Sequence, residues 1–212
     1  MKKTITVFIT LVILASTATT AFANPLTIGA ETGRILPPAG LGLELNTAID
    51  RDQRSNYSVN SEISYGLFSS VTIAGNISNL NHSDDRQTVI KAYFSPVHDD
   101  MGYTAYLGYD PGEREISQYG LSVWTDLNFA FAFLNLESNQ RQEDDRLTLT
   151  PGATLRLGSK LRLAGEMPID PDDWNARTIR LGASYSLNSK IQAKAAYDTD
   201  AHVFTTGIAV EI

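Results

Sequence analysis

The chain has 212 residues, a formal net charge of −7 and no cysteine. The acidic balance argues against nucleic acid as a partner, because a phosphate backbone is bound mainly through Lys and Arg. Without cysteine no disulfide can form, so the fold must be held by packing and hydrogen bonds alone.

The first predicted element is a secretory signal peptide of bacterial type at residues 1–23. Lys2 and Lys3 precede an apolar run from Ile5 to Leu14, and Ala21-Phe22-Ala23 has the small-x-small pattern of a signal-peptidase site. An uncleaved anchor would need a longer apolar run. Once this segment is removed, the exported chain would carry a net charge of about −9.

Two further regions follow, residues 24–38 and 39–212. Residues 24–38 match no full strand and end at Pro37 and Pro38, which predicts either a periplasmic N-terminal segment or a small plug inside the fold. After residue 23, no apolar run approaches the roughly 20 residues of a membrane-spanning helix. Residues 39–212 instead alternate apolar with polar residues, and a closed barrel crosses a membrane with only this weak hydropathy signal.

Turn-forming clusters divide residues 39–212 at regular intervals. Acidic clusters recur as DRDQR (50–54), HSDDR (82–86), DPGERE (110–115), QEDDR (142–146), DPDDW (170–174) and DTDAH (198–202). A second set lies midway between them, as GLFSS (66–70), SPVHDDMG (95–102), TDLN (125–128), LGSK (157–160) and LNSK (187–190). Neighbouring turns are about 8 to 14 residues apart, which predicts about 12 strands joined as consecutive hairpins.

Each predicted strand has one apolar and one polar face. In the first strand, Leu43 and Leu45 lie on one face, and Glu44 and Asn46 lie on the other. In this register the charged residues within the strands all fall on the polar face: Glu44, Glu62, Lys91, Arg156, Arg162, Glu166, Arg180, Lys194 and Glu211. Phe129, Phe131 and Phe133 fall on the apolar face, and the phase then changes at Leu134. A β-bulge is predicted there.

Three architectures fit this pattern: a soluble sandwich, a soluble lipocalin-like barrel and a membrane barrel. Aromatic residues lie near both ends of the strands, as the two membrane interfaces favour: Tyr65, Phe94, Tyr103, Phe129 and Tyr185 beside the second set of turns, and Tyr57, Tyr109, Tyr119, Tyr197 and Phe204 beside the acidic set. Gly and Ala recur on the polar face, which suits a barrel interior. We therefore predict an all-β fold, an antiparallel up-and-down transmembrane β-barrel with short loops and turns.

This pattern over residues 39–212, closed by HVFTTGIAVEI (202–212), resembles small bacterial outer-membrane β-barrel proteins of the porin-like kind. The resemblance implies an integral outer-membrane location, contact with outer-membrane lipids, and assembly machinery that reads the C-terminal strand. Ile208, Val210 and Ile212 alternate as in such strands, although Ile212 stands where they usually carry an aromatic residue. An even strand number with short periplasmic turns would place both mature termini in the periplasm.

The acidic clusters would then all lie on the outer rim of the barrel. The rim residues predicted from them are Asp52, Asp84, Asp85, Glu113, Asp144, Asp145, Asp172, Asp173, Asp198 and Asp200. One explanation is that Asp forms turns and its charge keeps loop tips in water. Another is an acidic ring that concentrates cations at a pore mouth, or that bridges Ca²⁺ or Mg²⁺ to anionic lipid. No run matches a calcium-binding loop, so no metal-ligand set is predicted.

The predicted interior charges are segregated along the chain. Four basic residues belong to strands eight to eleven, whereas Glu211, Glu44 and Glu62 belong to strands twelve, one and two. The alternatives are a transverse field in an open pore and salt bridges that fill a narrow lumen. We predict a narrow passive porin-like channel for ions or small polar solutes, without a cofactor. The alternative is a plugged structural barrel, or one that binds divalent cations or lipopolysaccharide.

An enzymatic hypothesis rests on a second resemblance. Asp200 and His202, with Asp84 and Asp85 opposite, resemble the D-x-H pair and facing aspartate pair of omptin surface proteases. The loops of this chain are too short to build a raised catalytic cleft, and the omptin barrel is considerably longer. We therefore expect no enzymatic activity.

Overall fold

The computed structural model of the chain describes residues 35–50, 57–82, 86–96, 101–139, 147–172 and 178–212. The predicted signal peptide, residues 1–23, lies outside them. Within the described residues there are twelve strands: β1 (Leu41–Asp50), β2 (Tyr57–Phe68), β3 (Val71–Ser78), β4 (Gln87–Phe94), β5 (Met101–Asp110), β6 (Glu115–Asp126), β7 (Ala130–Asn139), β8 (Leu147–Leu157), β9 (Leu161–Glu166), β10 (Arg180–Ser186), β11 (Ile191–Asp198) and β12 (Val203–Glu211).

The strands form a closed antiparallel barrel. Each strand pairs with its neighbours along the chain, and β12 pairs with β1, so the topology is up-and-down throughout. The last residue takes part in closure, because Ile212 N donates to Leu41 O at 2.8 Å and Leu41 N donates to Ile212 O at 2.9 Å. Closure leaves no free strand edge. The predicted fold, an all-β barrel of about 12 strands, is confirmed.

The described part of the chain contains no helix of the length and apolarity that a membrane span requires.

The two faces of the sheet differ in chemistry as the alternation predicts. Large apolar side chains such as Ile63, Leu181 and Ile208 are exposed on the outer face, whereas Glu62, next to Ile63, is buried on the inner face. Aromatic residues of both predicted belts are exposed on the outer face. This arrangement, apolar outside and polar inside, is the reverse of a soluble barrel and is typical of a barrel surrounded by lipid.

The barrel has two distinct ends. We call the end that holds the six turns between β1 and β2, β3 and β4, and so on to β11 and β12 the acidic end, since these are the acidic clusters. The opposite end, where β1 begins and β12 ends, is the terminal end.

The bulge predicted at Phe133 and Leu134 is wrong. Strand β7 pairs without interruption with β6 and with β8, and Phe131 and Phe133 lie buried on the inner face. Ala132 and Leu134 lie on the outer face, so the strand keeps one phase throughout. The inner face can accept Phe133 because Gly152, its cross-strand partner, has no side chain in the way. The register shifts lie elsewhere, between Gly66 and Phe68 and between Gly108 and Tyr109.

Candidate functional site

The inner face of the barrel is the candidate site, because it is where the polar and charged strand residues converge. The nine charged residues predicted for the polar face all occupy positions in phase with the inner face. They lie on eight strands, and the barrel brings them close to acids and bases that are distant in sequence. Three ion pairs among the described residues show how they are held.

The first ion pair crosses a whole strand. Lys194 Nζ of β11 donates to Glu44 Oε2 of β1 at 2.8 Å, with β12 lying between the two strands. Gly207 of β12 faces Lys194 and has no side chain to block the contact. Glu44 is also fixed by Asn46, whose Nδ2 donates to Glu44 Oε1 at 2.8 Å. The lysine and glutamate side chains keep 19% and 15% of their exposure, so the pair is not fully withdrawn from water.

The second pair joins Arg156 to Asp126, a residue that the alternation pattern did not single out. Arg156 donates through Nη1 and Nη2 to the two carboxylate oxygens of Asp126, at 2.7 and 2.6 Å, and through Nη1 to Asn128 O at 2.8 Å. Such two-point contacts fix the guanidinium geometry. The sequence could have indicated Asp126, because it continues the inner-face alternation of Ser122 and Trp124. It belongs to the turn cluster TDLN, however, and is therefore predicted to lie in a loop.

Asp126 reduces the repulsion between two neighbouring arginines. Arg156 and Arg162 stand directly opposite each other in the β8–β9 pairing. Two cations in this position repel each other. The Asp126 carboxylate on Arg156 offsets part of that repulsion.

The third pair lies at the acidic end. Arg180 Nε donates to Asp198 Oδ2 at 2.9 Å, and the two residues are direct partners in the β10–β11 register. Glu166 stands opposite Arg180 on the other side, in the β9–β10 register, and is buried. Asp198, predicted as a rim acid, therefore also takes part in an ion pair of the inner wall.

Glutamates gather near the terminal end. Glu44 and Glu62 are direct partners across β1 and β2, and Glu211 lies opposite Gly42 on β12. These three acids line a cavity of about 20 Å³, which Leu36 also lines. A space of that size holds one ordered water.

Residues 35–40 turn into the barrel at the terminal end. Leu36 is buried, and its backbone N donates to Thr72 Oγ1 at 2.9 Å. Ala39 N donates to Gly66 O at 2.8 Å, and Gly66 N donates to Gly40 O at 2.9 Å. A Cβ at Gly66 would collide with the carbonyl oxygen of Pro37. Residues 35–38 contact the inner face and residues 24–34 lie outside the described residues, so the choice between a periplasmic segment and a small plug stays a prediction.

Aromatic side chains fill part of the interior, which the sequence pattern did not predict. Trp124 stacks on Phe131 with ring centroids 5.7 Å apart, and Phe133 lies beside Phe131. Tyr93 and Tyr106 form a second cluster on β4 and β5, against which Ile35 packs. These rings occupy part of the barrel interior, although Gly and Ala recur on the same face.

A polar network ties the second cluster to β7. Tyr106 Oη donates to Glu137 Oε2 at 2.9 Å, and Asn135 Nδ2 donates to the same oxygen at 2.9 Å. Lys91 Nζ lies 5.8 Å from the centre of the Tyr106 ring, within the range of a cation–π contact. Lys91 therefore belongs to the filled part of the lumen.

Several acids of the acidic end shape its turns. Asp110 Oδ1 accepts from Gly112 N at 2.7 Å, Asp170 Oδ1 accepts from Asp172 N at 2.9 Å, and Asp198 Oδ1 accepts from Ala201 N at 3.0 Å. These contacts are side-chain turns of the kind Asp forms readily.

Four of the predicted rim acids can be placed. Glu113, Asp172, Asp198 and Asp200 lie at the acidic end, whereas six others lie outside the described residues: Asp52, Asp84, Asp85, Asp144, Asp145 and Asp173. In the described ranges, no three His, Asp or Glu side chains are grouped so that they could hold a metal ion.

The residues of the protease hypothesis have other contacts. His202 Nδ1 lies 3.1 Å from Tyr197 Oη, and Asp200 Oδ2 accepts a long 3.4 Å hydrogen bond from Thr178 Oγ1. Asp84 and Asp85, which would form the facing pair, lie outside the described residues.

The barrel is similar to solved outer-membrane porins. It matches the "KdgM porin" with a TM-score of 0.64 and 9% identity over 80% of this chain and 98% of that chain. It matches "KdgM porin in complex with disordered oligogalacturonate" with a TM-score of 0.61 and 9% identity over 81% and 98% of the two chains. A looser match is the Acinetobacter baumannii outer membrane protein Omp33, with a TM-score of 0.42 and 8% identity over 82% and 96%.

These similarities concern the fold alone, and only the two matches to KdgM porin support it. Neither a protein-family model nor a curated protein matches the sequence. The chain therefore has the closed twelve-strand fold of outer-membrane porins, without assignment to a specific family. This fold supports an integral outer-membrane location and contact with lipid.

Proposed function

We propose that this chain is a narrow passive channel of the bacterial outer membrane for ions or small polar solutes. The observation that carries the proposal is the Lys194–Glu44 pair, a partly exposed ion pair on the inner face of a closed barrel whose outer face is apolar. Charges that stay partly hydrated inside a barrel suit a water-filled path better than a dry core. The nine predicted inner charges are the proposed lining residues.

The setting follows from the same proposal. Residues 1–23 direct export, both mature termini lie in the periplasm, and the C-terminal strand β12 is read by the assembly machinery. The acidic end then faces outward, where the ten predicted rim acids raise the local cation concentration. Divalent cations that bridge this rim to anionic lipid are possible partners by the same chemistry. The channel needs no cofactor and is not an enzyme.

The charge of the rim predicts which ions pass, because the nine lining residues nearly balance, with four acids and five bases. Acids outnumber bases in the whole chain, 24 to 17, and most of these acids lie in the clusters of the acidic end. Cations should therefore be favoured over anions. One similar porin was solved with oligogalacturonate, an acidic saccharide. For the present chain we propose that such an acidic polymer is repelled by the rim.

The test is conductance of the refolded protein in planar bilayers. We expect small single-channel steps, a reversal potential that indicates cation preference, and no block by added oligogalacturonate. A band whose gel mobility changes on heating shows that the barrel is folded in each sample. Well-folded protein without conductance contradicts the channel, as does recovery of a soluble monomer without detergent.

A second candidate, a plugged barrel without transport, is favoured by one observation, the burial of Leu36 in the lumen. Truncating this side chain distinguishes the two. If the lumen conducts past Leu36, Leu36→Ala should raise single-channel conductance, because the side chain narrows the cavity beside Glu44 and Glu62. Leu45→Ala, which shortens an outer-face leucine of β1, should leave it unchanged. A plugged barrel would be silent both as the wild type and as Leu36→Ala.

A further inference from the structure

The inner wall is filled unevenly around the barrel. On β3 to β8, many inner-face residues are almost completely buried, and those that are at most 1% exposed include Thr72, Ala74, Tyr93, Thr104, Ser122, Asn135 and Thr154. On β11 and β12, by contrast, every inner-face residue is partly exposed. The free space of the lumen therefore lies to one side.

One register row shows the change directly. It begins with Thr154 on β8 and Ala164 on β9, which are both buried. It continues with Gly182 on β10, Ala196 on β11, Thr205 on β12 and Ala48 on β1, which are all partly exposed. These residues lie at successive positions around the barrel and are all small. The size of these side chains therefore does not explain why those on β8 and β9 are buried and the others are partly exposed.

The difference comes from what lies against each side. The filled side carries the ring clusters of Trp124 and Phe131 and of Tyr93 and Tyr106, and Ile35 packs on the second cluster. Ile35 of the N-terminal turn thus packs on the β3–β5 side, whereas Leu36 lies beside Glu44 and Glu211 near the terminal end. We call the inner faces of β11, β12 and the part of β1 from Glu44 to Asp50 the open wall, because every inner-face residue there is partly exposed.

The open wall carries an ion pair that joins β11 to β1. Lys194 and Glu44 reach each other across Gly207, so the ion pair lies on the lumen side of β12. Asp198 of β11, on the same wall nearer the acidic end, pairs with Arg180 of β10. A hydrated ion that follows this wall meets both pairs.

We propose that ions cross the barrel along the open wall, and that Lys194 and Glu44 set the balance between small cations and anions there. This inference rests on the proposed channel function and names its path. The rings of β4 to β7 are structural filling that transported ions do not meet.

The absence of cysteine allows a direct test by thiol labelling. Single variants Ala196→Cys and Thr205→Cys place a thiol on the open wall, and Ser122→Cys and Thr154→Cys place one of similar size on the filled side. A cationic methanethiosulfonate reagent should label the first two in the folded protein and lower their conductance about twofold or more, since it narrows a charged path. The second two should remain unlabelled by mass spectrometry until the protein is unfolded.

The two readouts separate the inference from the function it rests on. Labelling by mass reports water access whether or not current flows, so absence of wild-type conductance overturns the channel alone. Equal labelling of both sides, or open-wall labelling that leaves a conducting channel unaffected, overturns the proposed path.

Charge substitution tests the ion pair. Lys194→Gln should move the reversal potential toward stronger cation preference, because it removes the positive charge that lies beside Glu44. Lys160→Gln is the matched control, with the same loss of charge in the exposed β8–β9 turn. A larger shift for Lys194→Gln supports the path, whereas equal shifts would mean that only the net charge matters, and the assigned role of Lys194 would be wrong.

Discussion

The ring of Phe133 stands where a Cβ of Gly152 would be, and the ring of Tyr106 covers Gly120 in the same way. Both glycines lie on the inner face, and each accepts an aromatic ring from a neighbouring strand. Glycine usually weakens a strand, because it has no side chain to pack. Here the ring of the neighbour fills the space, so a cross-strand pair replaces the missing side chain.

Gly152→Ala should therefore destabilise the barrel. The added methyl group collides with the Phe133 ring, and overpacking of this kind typically costs about 1–3 kcal/mol. Gly75→Ala is the control, because a Cβ there meets no atom within 4 Å. Urea unfolding in lipid vesicles, followed by tryptophan fluorescence, measures both. Equal stability of the two variants would show that Phe133 does not need the glycine.

Within a single strand, β12 shows how lipid-facing and lumen-facing residues alternate along the sequence. Ile208 lies exposed on the outer face, and Thr205, three residues earlier, lies on the inner face of the open wall. The same strand closes the barrel against β1. Residues a few positions apart on β12 therefore have different surroundings, lipid on the outer face and the lumen on the inner face.

A charge placed on either face of β12 should reveal this difference. Ile208→Arg puts a guanidinium into hydrocarbon and should lower the free energy of unfolding by roughly 2–4 kcal/mol, as expected near the bilayer midplane. Thr205→Arg adds the same group to the partly exposed inner face and should cost clearly less. Reversible unfolding in vesicles compares the two. A greater cost for Thr205→Arg would invert the assignment of the faces.

For the whole molecule, the distribution of charge decides how ions approach. The acidic end collects clusters of Asp and Glu, whereas the inner wall holds its acids largely beside Arg and Lys. Unpaired exposed charges act over the Debye length, which is about 10 Å at 0.1 M salt and about 3 Å at 1 M. The rim and the wall should therefore differ in their response to salt.

Cation preference measured in bilayers should decline as salt rises from 0.1 to 1 M, because the rim is then screened. Replacing Asp84, Asp85, Asp144 and Asp145 by Asn should remove most of the low-salt preference without closing the channel. The residual preference at high salt should be the same in the wild type and in this variant, since it arises from the wall. A preference that does not change with salt would exclude the rim as its source.

Much of the architecture follows from local sequence alone. A side-chain period of two, interrupted by Asp-rich and Gly-rich turns, is a short-range property, and it correctly predicted twelve strands and an apolar outer face. The phase of the charged residues was equally predictable, because a Lys or Glu in lipid is so costly that only one face can hold it. The role of Asp in several turns follows from the same local chemistry.

The tertiary structure decided what the alternation leaves open. Phe131 and Phe133 are compatible with either face, because an aromatic ring is accepted by lipid or by a lumen with room for it. Gly152 leaves room for Phe133, and Trp124 stacks on Phe131; both belong to the neighbouring strands. Ion partners such as Asp126 for Arg156, and the inward turn at Leu36, likewise depend on register and closure. These contacts join residues far apart in sequence, so no local pattern contains them.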